Sequence, residues 1–162
     1  MLKYYAEKVM NRFIVLIPLL VFSLTACTGG GKLSGDPKSR LTEYISKSFA
    51  VKNPEDRRAL LSYMSGEAKT RLTAWSDEQF RHAFIDSKRQ FIKLLVREIK
   101  TTSPKEVNIT YELTYIDQTR GRDAKVTNKK LCKMVLEQNS WFIADVRNIK
   151  ELVEYRNEMA LP

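Results

Sequence analysis

The chain has 162 residues, with 28 lysines and arginines against 19 carboxylates, a net charge of +9 and 43% hydrophobic residues. After removal of an N-terminal signal, this length leaves room for one domain and excludes two. Two cysteines and one histidine exclude a disulfide framework and the usual zinc spacings. The positive charge favours polyanionic partners, although it is also common on soluble domains without them.

The N-terminal segment has the pattern of an export signal. Three basic residues lie within the first twelve, an apolar run covers residues 13–24, and small residues precede Cys27. A charged start, a short apolar stretch and small residues before a cleavage site are typical of a secretory signal peptide. We therefore predict that residues 1–26 are removed.

Leu24, Thr25, Ala26 and Cys27 resemble the lipobox of bacterial lipoproteins, in which a leucine and two small or β-branched residues precede a cysteine. The resemblance implies that signal peptidase II cuts before Cys27 and that Cys27 carries diacylglycerol through a thioether. Two acyl chains are enough for stable membrane attachment. Because Thr28 stands where aspartate would retain the protein on an inner membrane, the resemblance implies an outer-membrane lipoprotein facing the periplasm, if the source has two membranes.

Two other interpretations of this segment remain open. An uncleaved membrane anchor needs about 20 apolar residues, whereas the stretch from Phe13 to Ala26 has 14 residues and contains Pro18. A signal peptide without lipidation would leave Cys27 beside an ordinary cleavage site. We favour the lipobox because its four residues and their distance from the basic start both match the processing signal.

The domain organisation follows from composition. Residues 27–38 hold the lipidated cysteine and four of the six glycines, which predicts a flexible linker. Residues 39–162 then form a single domain. No glycine-rich phosphate loop opens a helix in it.

Apolar residues at helical spacing predict that the domain begins with helices. The first covers residues 39–49. The second begins at the Asn-Pro-Glu-Asp stretch 53–56 and continues to Trp75, with Gly66 as a stop or a kink. Ser76 and Gln79 form a capping box for another helix. The side chains expected to be buried are Leu41, Tyr44, Ile45, Phe49, Leu60, Leu61, Met64, Ala68, Leu72, Phe80, Ala83 and Phe84.

Alternating apolar and polar residues predict that strands follow the helices. The alternation is clear at 107–115 and continues at 126–137 and 141–146, with polar turns between them. Residues 90–100 fit a helix or a strand, and their β-branched residues favour a strand beginning near Phe91. A short helix is predicted within 147–159.

Helices followed by an antiparallel meander predict an α+β fold, with helices covering one face of a sheet of three to four strands. Residues 60–67 and the final hairpin 137–146, with its Trp-x-Ile-x-Asp-Val pattern, resemble the cystatin-like superfamily that includes nuclear transport factor two and ketosteroid isomerase. The resemblance covers about residues 39–155. It implies a curved sheet around a cone-shaped cavity, and often dimers, but no single activity.

Candidate catalytic residues are few. His82 is the only histidine, and no second histidine or obvious carboxylate stands beside it. Asp145 shares a strand face with Trp141 and Ile143, so it is a candidate to line the cavity. Seven tyrosines leave the choice of an oxyanion donor open, so no catalytic set of the isomerase type is assigned. Cys132, among apolar strand residues, is expected to be an inert core thiol.

A basic hairpin is the candidate binding surface. Lys125, Lys129 and Lys133 share one strand face, opposite Cys132. Either this face is merely solvated, or it meets anionic lipid, lipopolysaccharide or a wall polymer. Nucleic acid is not expected. The full basic set is Arg120, Arg122, Lys125, Lys129, Lys130 and Lys133.

The function expected from these features is that of a lipid-anchored envelope protein whose domain binds a ligand or partner without catalysis. No cofactor or metal is expected. The alternatives are a small-molecule enzyme of the ketosteroid-isomerase type and a structural partner of another envelope protein. A homodimer is a further expectation from the cystatin-like resemblance.

Overall fold

The structure, a computed structural model, describes residues 35–155. The predicted signal peptide, the lipobox and most of the linker lie outside the described residues. In the described part of the chain, α-helices are followed by a four-stranded antiparallel sheet, which is an α+β fold. None of its helices has the length and hydrophobicity that a bilayer-spanning helix requires.

Helix α1 runs from Pro37 to Phe49, two residues earlier than predicted. The Asp36 carboxylate accepts a hydrogen bond from the Ser39 backbone N–H at 3.1 Å, which caps the helix. Pro37 in the first turn lacks only an N–H that would be unpaired in any case. The predicted apolar stripe is confirmed, because Leu41 and Ile45 are buried.

The second predicted helix is divided in two. After a 3₁₀ turn at Pro54–Asp56, α2 spans Arg57–Leu61 and α3 spans Gly66–Ala74. Between them the chain pairs with the sheet: the Ser65 N–H donates to the Ile143 carbonyl, and the Ile143 N–H donates to the Tyr63 carbonyl.

Helix α4, Asp77–Arg81, continues into a π-helical turn at His82–Asp86. The predicted capping box is confirmed. The Gln79 N–H donates to the Ser76 hydroxyl at 3.1 Å, and the Ser76 N–H donates to the Gln79 side-chain oxygen at 2.8 Å. This capping box therefore marks the start of the helix in which Phe80 is fully buried.

Four strands form a meander in chain order. They are β1 (Arg89–Ser103), β2 (Glu106–Asp117), β3 (Lys125–Glu137) and β4 (Ser140–Glu154). The strand interpretation of residues 90–100 is confirmed. The register shifts at three places between β1 and β2 and at two places between β3 and β4.

The predicted helix at 147–159 is wrong for its described part. Residues 147–154 extend β4 and pair with residues 125–131 of β3. The spacing of Ile149, Leu152 and Val153 suits one helix face, but a helix here would leave the β3 backbone groups without partners. Strand pairing satisfies them, and Ile149 and Leu152 remain about half exposed.

The hydrophobic core lies between the helices and one face of the sheet. On β2 the alternation is complete, from Val107 to Tyr115, and the alternating side chains are buried as predicted. Cys132 and Met134 of β3 and Ile143 of β4 continue this face and are fully buried.

Candidate functional site

A cavity of about 350 Å³ lies between the helices and the inner face of the sheet. Cavities of this size are typical of small-ligand sites. Helices α1 and α3, the π-helical turn and the last three strands all contribute to its wall, together with Arg89 at the start of β1. The apolar and aromatic side chains in the wall are Tyr44, Phe49, Met64, Ala68, Leu72, Trp75, Ala83, Phe84, Tyr111, Leu113 and Val146.

The cations in this wall are Arg71, Arg89 and Lys130. The Arg89 guanidinium carbon lies 5.4 Å from the ring centroid of Phe49 and 5.3 Å from that of Phe84. Both distances are within the range of cation–π attraction. Burial lowers the pKa of Lys130, and the positive charge of Arg89 lowers it further, whereas Glu151 partly opposes the shift.

The structure separates Lys130 from the rest of the predicted basic hairpin. Lys130 lies in the register of Asn128 and Cys132, which are buried on the inner face of β3. It is therefore not part of an outer polyanion-binding face, which corrects the grouping of the basic set. In the sequence, the two-residue spacing between Lys130 and Cys132 already indicated that both side chains lie on the same face of the strand. Arg89 offered no such signal, since it stands at the strand start.

The remaining hairpin cations are largely paired with carboxylates. Lys125 contacts Glu154 at 2.8 Å and Lys133 contacts Glu106 at 2.8 Å. Arg120 contacts Glu151 at 2.6 Å. Within residues 35–155, Arg122 and Lys129 make no ion pair, and Lys129 lies opposite Glu112 in the β2–β3 register. This interleaving reduces the field that the hairpin presents to a polyanion.

The π-helical turn is an irregular element in the cavity wall. It supplies Ala83 and Phe84, and the Phe84 ring stacks on Phe80 with a centroid distance of 4.8 Å. Trp75 lies 6.1 Å from Phe84 and is 37% exposed, so it lines the cavity and also meets solvent. Short π-helical turns occur frequently at functional sites.

Two tyrosines of the cavity wall and the nearby free cysteine have raised pKa values. Burial raises the pKa of Tyr44 to about 12 and the pKa of Tyr111 well above its ordinary value. Burial also raises the pKa of the Cys132 thiol to about 12, and the charge of Asp145 adds to the shift. The thiol is therefore protonated and unreactive at neutral pH, as expected for a core cysteine.

Asp145 is bound by two arginines, Arg71 and Arg147. Its carboxylate accepts hydrogen bonds from Arg71 at 2.5 Å and from Arg147 at 2.7 Å. Burial raises its pKa, but the hydrogen bonds from these arginines outweigh burial and leave the pKa below the ordinary value. Asp145 does not line the cavity, unlike the expectation from its strand face.

His82 also lies outside the cavity. It is exposed and lines a separate open hollow along α4 with Trp75, Asp77 and Asp86. The structure therefore does not bring His82 and Asp145 together as polar groups of one site. Among residues 35–155, no group of histidine, cysteine and carboxylate side chains is arranged to hold a metal ion.

No protein-family model and no curated protein matches this chain.

Proposed function

We propose that the domain binds a small ligand in the cavity between its helices and its sheet, and that it does so without catalysis. The observation that carries this proposal is the cavity itself, which combines an apolar wall with Arg89 and Lys130. A mostly apolar pocket with a few convergent polar groups is the usual form of a small-ligand site.

The surrounding groups favour binding over catalysis. Nucleophilic catalysis needs an activated nucleophile within hydrogen-bonding distance of a base. Cys132 has a raised pKa, Asp145 is occupied by Arg71 and Arg147, and His82 faces a different hollow. An isomerase-type enzyme remains the alternative function, with Tyr44 or Tyr111 as the proton donor in the cavity wall.

We further propose that the sheet forms the cone of a cystatin-like fold. The support is that helices cover one face of the sheet and that register shifts interrupt the β1–β2 and β3–β4 pairings. Such bulges bend strands and increase their local twist. The cavity described above would then be the interior of the cone.

We propose that Cys27 anchors this domain to a membrane of the cell envelope, on the outer membrane and facing the periplasm if the source has two membranes. The support is the Leu24–Cys27 motif after an apolar run. A cysteine carrying two or three acyl chains would stay attached to the bilayer. A linker of about ten residues has a typical reach of roughly 15–20 Å, so the domain would lie close to the surface.

Assembly with another protein is the second candidate function, and exposed side chains near the end of β4 favour it. Ile149, Leu152 and Tyr155 are 54%, 48% and 59% exposed. These side chains belong to an edge strand or follow it directly, and an exposed edge strand is a site at which another chain can pair. If assembly is the function, we expect Leu152→Lys to abolish cross-links to a partner without changing ligand occupancy of the cavity.

The binding proposal is tested on the full-length protein extracted from membranes. We expect native mass spectrometry to find a bound small molecule, and we expect Ala83→Phe to remove it because the larger side chain fills the cavity. Ala59→Phe is the matched control, since Ala59 is exposed on α2. Equal occupancy in both variants, with unchanged circular dichroism, would contradict the proposal.

The anchoring proposal has its own test. Cys27→Ser should prevent lipidation and processing, so the product should keep its signal segment and gain mass relative to the mature protein, as measured by intact mass spectrometry. Membrane association of a product of unchanged size would show that the anchor is something else.

A further inference from the structure

The cavity carries positive charge without a carboxylate in its wall. Among the described residues that line it, the charged ones are Arg71, Arg89 and Lys130. Arg71 is neutralised by Asp145 at 2.5 Å and by Glu67 at 3.6 Å. The charges of Arg89 and Lys130 are therefore the ones that remain for a ligand.

The carboxylate that acts on Lys130 and the one opposite Arg89 in the sheet already have partners. Glu151 acts on Lys130 through space, but its carboxylate is bound by Arg120 at 2.6 Å. Asp117 stands opposite Arg89 in the β1–β2 register. Its carboxylate accepts hydrogen bonds from the Thr119 N–H at 3.0 Å and the Thr119 hydroxyl at 2.6 Å.

Arg89 is positioned by rings and by one hydroxyl. Its Nε donates a hydrogen bond to the Ser87 hydroxyl at 3.1 Å, and its guanidinium lies 5.8 Å from the centroid of Tyr115 in addition to its contacts with Phe49 and Phe84. The terminal guanidinium nitrogens make no hydrogen bond to any residue within 35–155. A guanidinium held in this way keeps paired donors for an acidic group.

Apart from Ser48 and the hydroxyls of Tyr44 and Tyr111, the rest of the wall is apolar. Leu72 is buried and Phe84 is half-buried, and Trp75 extends the apolar surface to the solvent side. A free inorganic anion would leave this surface in contact with water. A ligand with an apolar body would cover it and gain the free energy of apolar burial.

We propose that the ligand of this cavity is an amphipathic anion, whose acidic group is bound by Arg89 and Lys130 and whose apolar body packs against Phe84, Leu72 and Trp75. The inference rests on the proposed function and adds the chemical class of the ligand. Partly buried cations stay charged at a cost in solvation, and a bound anion offsets this cost through charge-assisted hydrogen bonds.

The test compares three decyl probes that differ only in the head group. Full-length lipidated protein in phosphatidylcholine nanodiscs is titrated calorimetrically with decanoate, decanol and decyltrimethylammonium, and empty nanodiscs give the blank. We expect saturable decanoate binding that is roughly tenfold or more tighter than decanol binding, as for a charge-assisted hydrogen bond, and no binding of the cation.

Matched variants connect this preference to the two cations. Lys130→Met should remove most of the preference for decanoate, and Arg89→Met should do the same. Lys129→Met, on the opposite face of β3, should leave it unchanged. Decyl phosphate serves as a further probe that separates phosphate from carboxylate ligands. Circular dichroism of each variant verifies that the domain is folded.

The outcomes separate the two proposals. Equal binding of decanoate and decanol, or an undiminished preference in folded Lys130→Met, would overturn the anionic class while the cavity remains a ligand site. If no decyl probe binds saturably and Ala83→Phe also leaves co-purified small molecules unchanged, both proposals fail.

Discussion

Lys130 shows how one residue connects stability and binding in this protein. It belongs to the face of β3 that carries Cys132 and Met134, both fully buried. A lysine on such a face costs solvation of the charged amine, and the lowered pKa of Lys130 expresses this cost. Lys130 therefore lowers the stability of the ligand-free domain, and binding of a ligand by its charge would explain why it is present.

We therefore expect Lys130→Met to stabilise the ligand-free domain by about 1 kcal/mol at neutral pH. Because the pKa of Lys130 is lowered in the folded state, its destabilising effect is complete below the folded pKa and disappears as pH rises toward the unfolded pKa of about 10.4. The gain in the variant should therefore shrink with rising pH. Urea unfolding across pH measures this, and an equal gain at every pH would contradict the assignment.

Gly66 is the second residue whose conformation has a measurable consequence. It begins α3 with φ at +49°. A Cβ at this position would lie 3.7 Å from the carbonyl oxygen of Ala144 and 3.9 Å from its Cβ, which are ordinary van der Waals distances. Space is therefore available, and the cost of a side chain comes from the left-handed backbone.

Gly66→Ala should lower the free energy of unfolding by roughly 1–2 kcal/mol, because alanine rarely adopts this backbone conformation. Gly35→Ala is the control, since nothing lies within 4 Å of its Cβ position and its φ is not positive. Thermal unfolding compares the two variants. A loss of stability in both would indicate that the effect is not conformational.

At the scale of elements, the junction between α3 and β4 depends on one carboxylate. Asp145 on β4 accepts hydrogen bonds from Arg71 on α3 and from its strand neighbour Arg147. The bridge between Met64 and Ile143 lies next to it and brings the chain before α3 to the same strand. Helix α3, which lines part of the cavity, is thereby held against the sheet.

We expect Asp145→Asn to lower the free energy of unfolding by about 2 kcal/mol, the value of hydrogen bonds to a charged group. Since the pKa of Asp145 is lowered in the folded state, its contribution is present above the unfolded pKa of about 3.9 and is lost as pH falls through the folded pKa. The difference between the proteins should therefore vanish in acid. Glu67→Gln, which removes a longer and more exposed contact with Arg71, should have little effect in the same denaturant experiment.

For the molecule as a whole, stability should be greatest where both the helices and neighbouring strands cover the chain. The strand order places β2 and β3 between other strands, whereas β4 pairs with β3 on one side and, on its other side, only at Ile143 with the chain before α3. The start of β4, with Trp141 and Ile143 buried, packs under the helices, and residues 147–152 are exposed. The cavity lies at the part of the sheet that the helices cover.

Native-state hydrogen exchange should show this gradient directly. We expect backbone amides at 109–113 and 141–146 to exchange slowly and those at 147–154 to exchange much faster, because local opening of an exposed edge costs less than global unfolding. The two halves of β4 serve as controls for each other. Equal protection along β4 would indicate that a partner covers its exposed half.

The local elements can be predicted from the amino-acid sequence, because their signals are repeats of a few residues. The stripe of α1, the Ser76–Gln79 cap and the alternation of β2 follow from 3.6- and 2-residue repeats and from side-chain hydrogen bonding to nearby backbone groups. Gly66 indicated a stop or a kink in the second helix, and the structure divides the helix there. The extension of β4 did not follow from the sequence, because pairing with β3 decided it.

Which charged residues share a site depends on the three-dimensional fold. Arg71 and Asp145 are 74 positions apart, and the pairing of Lys125, Lys133 and Arg120 with carboxylates depends on the strand register, which bulges shift. Packing of the helices on the sheet places Lys130 in the cavity wall, whereas His82 lies outside the cavity. The reason is that Coulomb energy and solvation depend on distance and surroundings in space, which residue spacing along the chain does not specify.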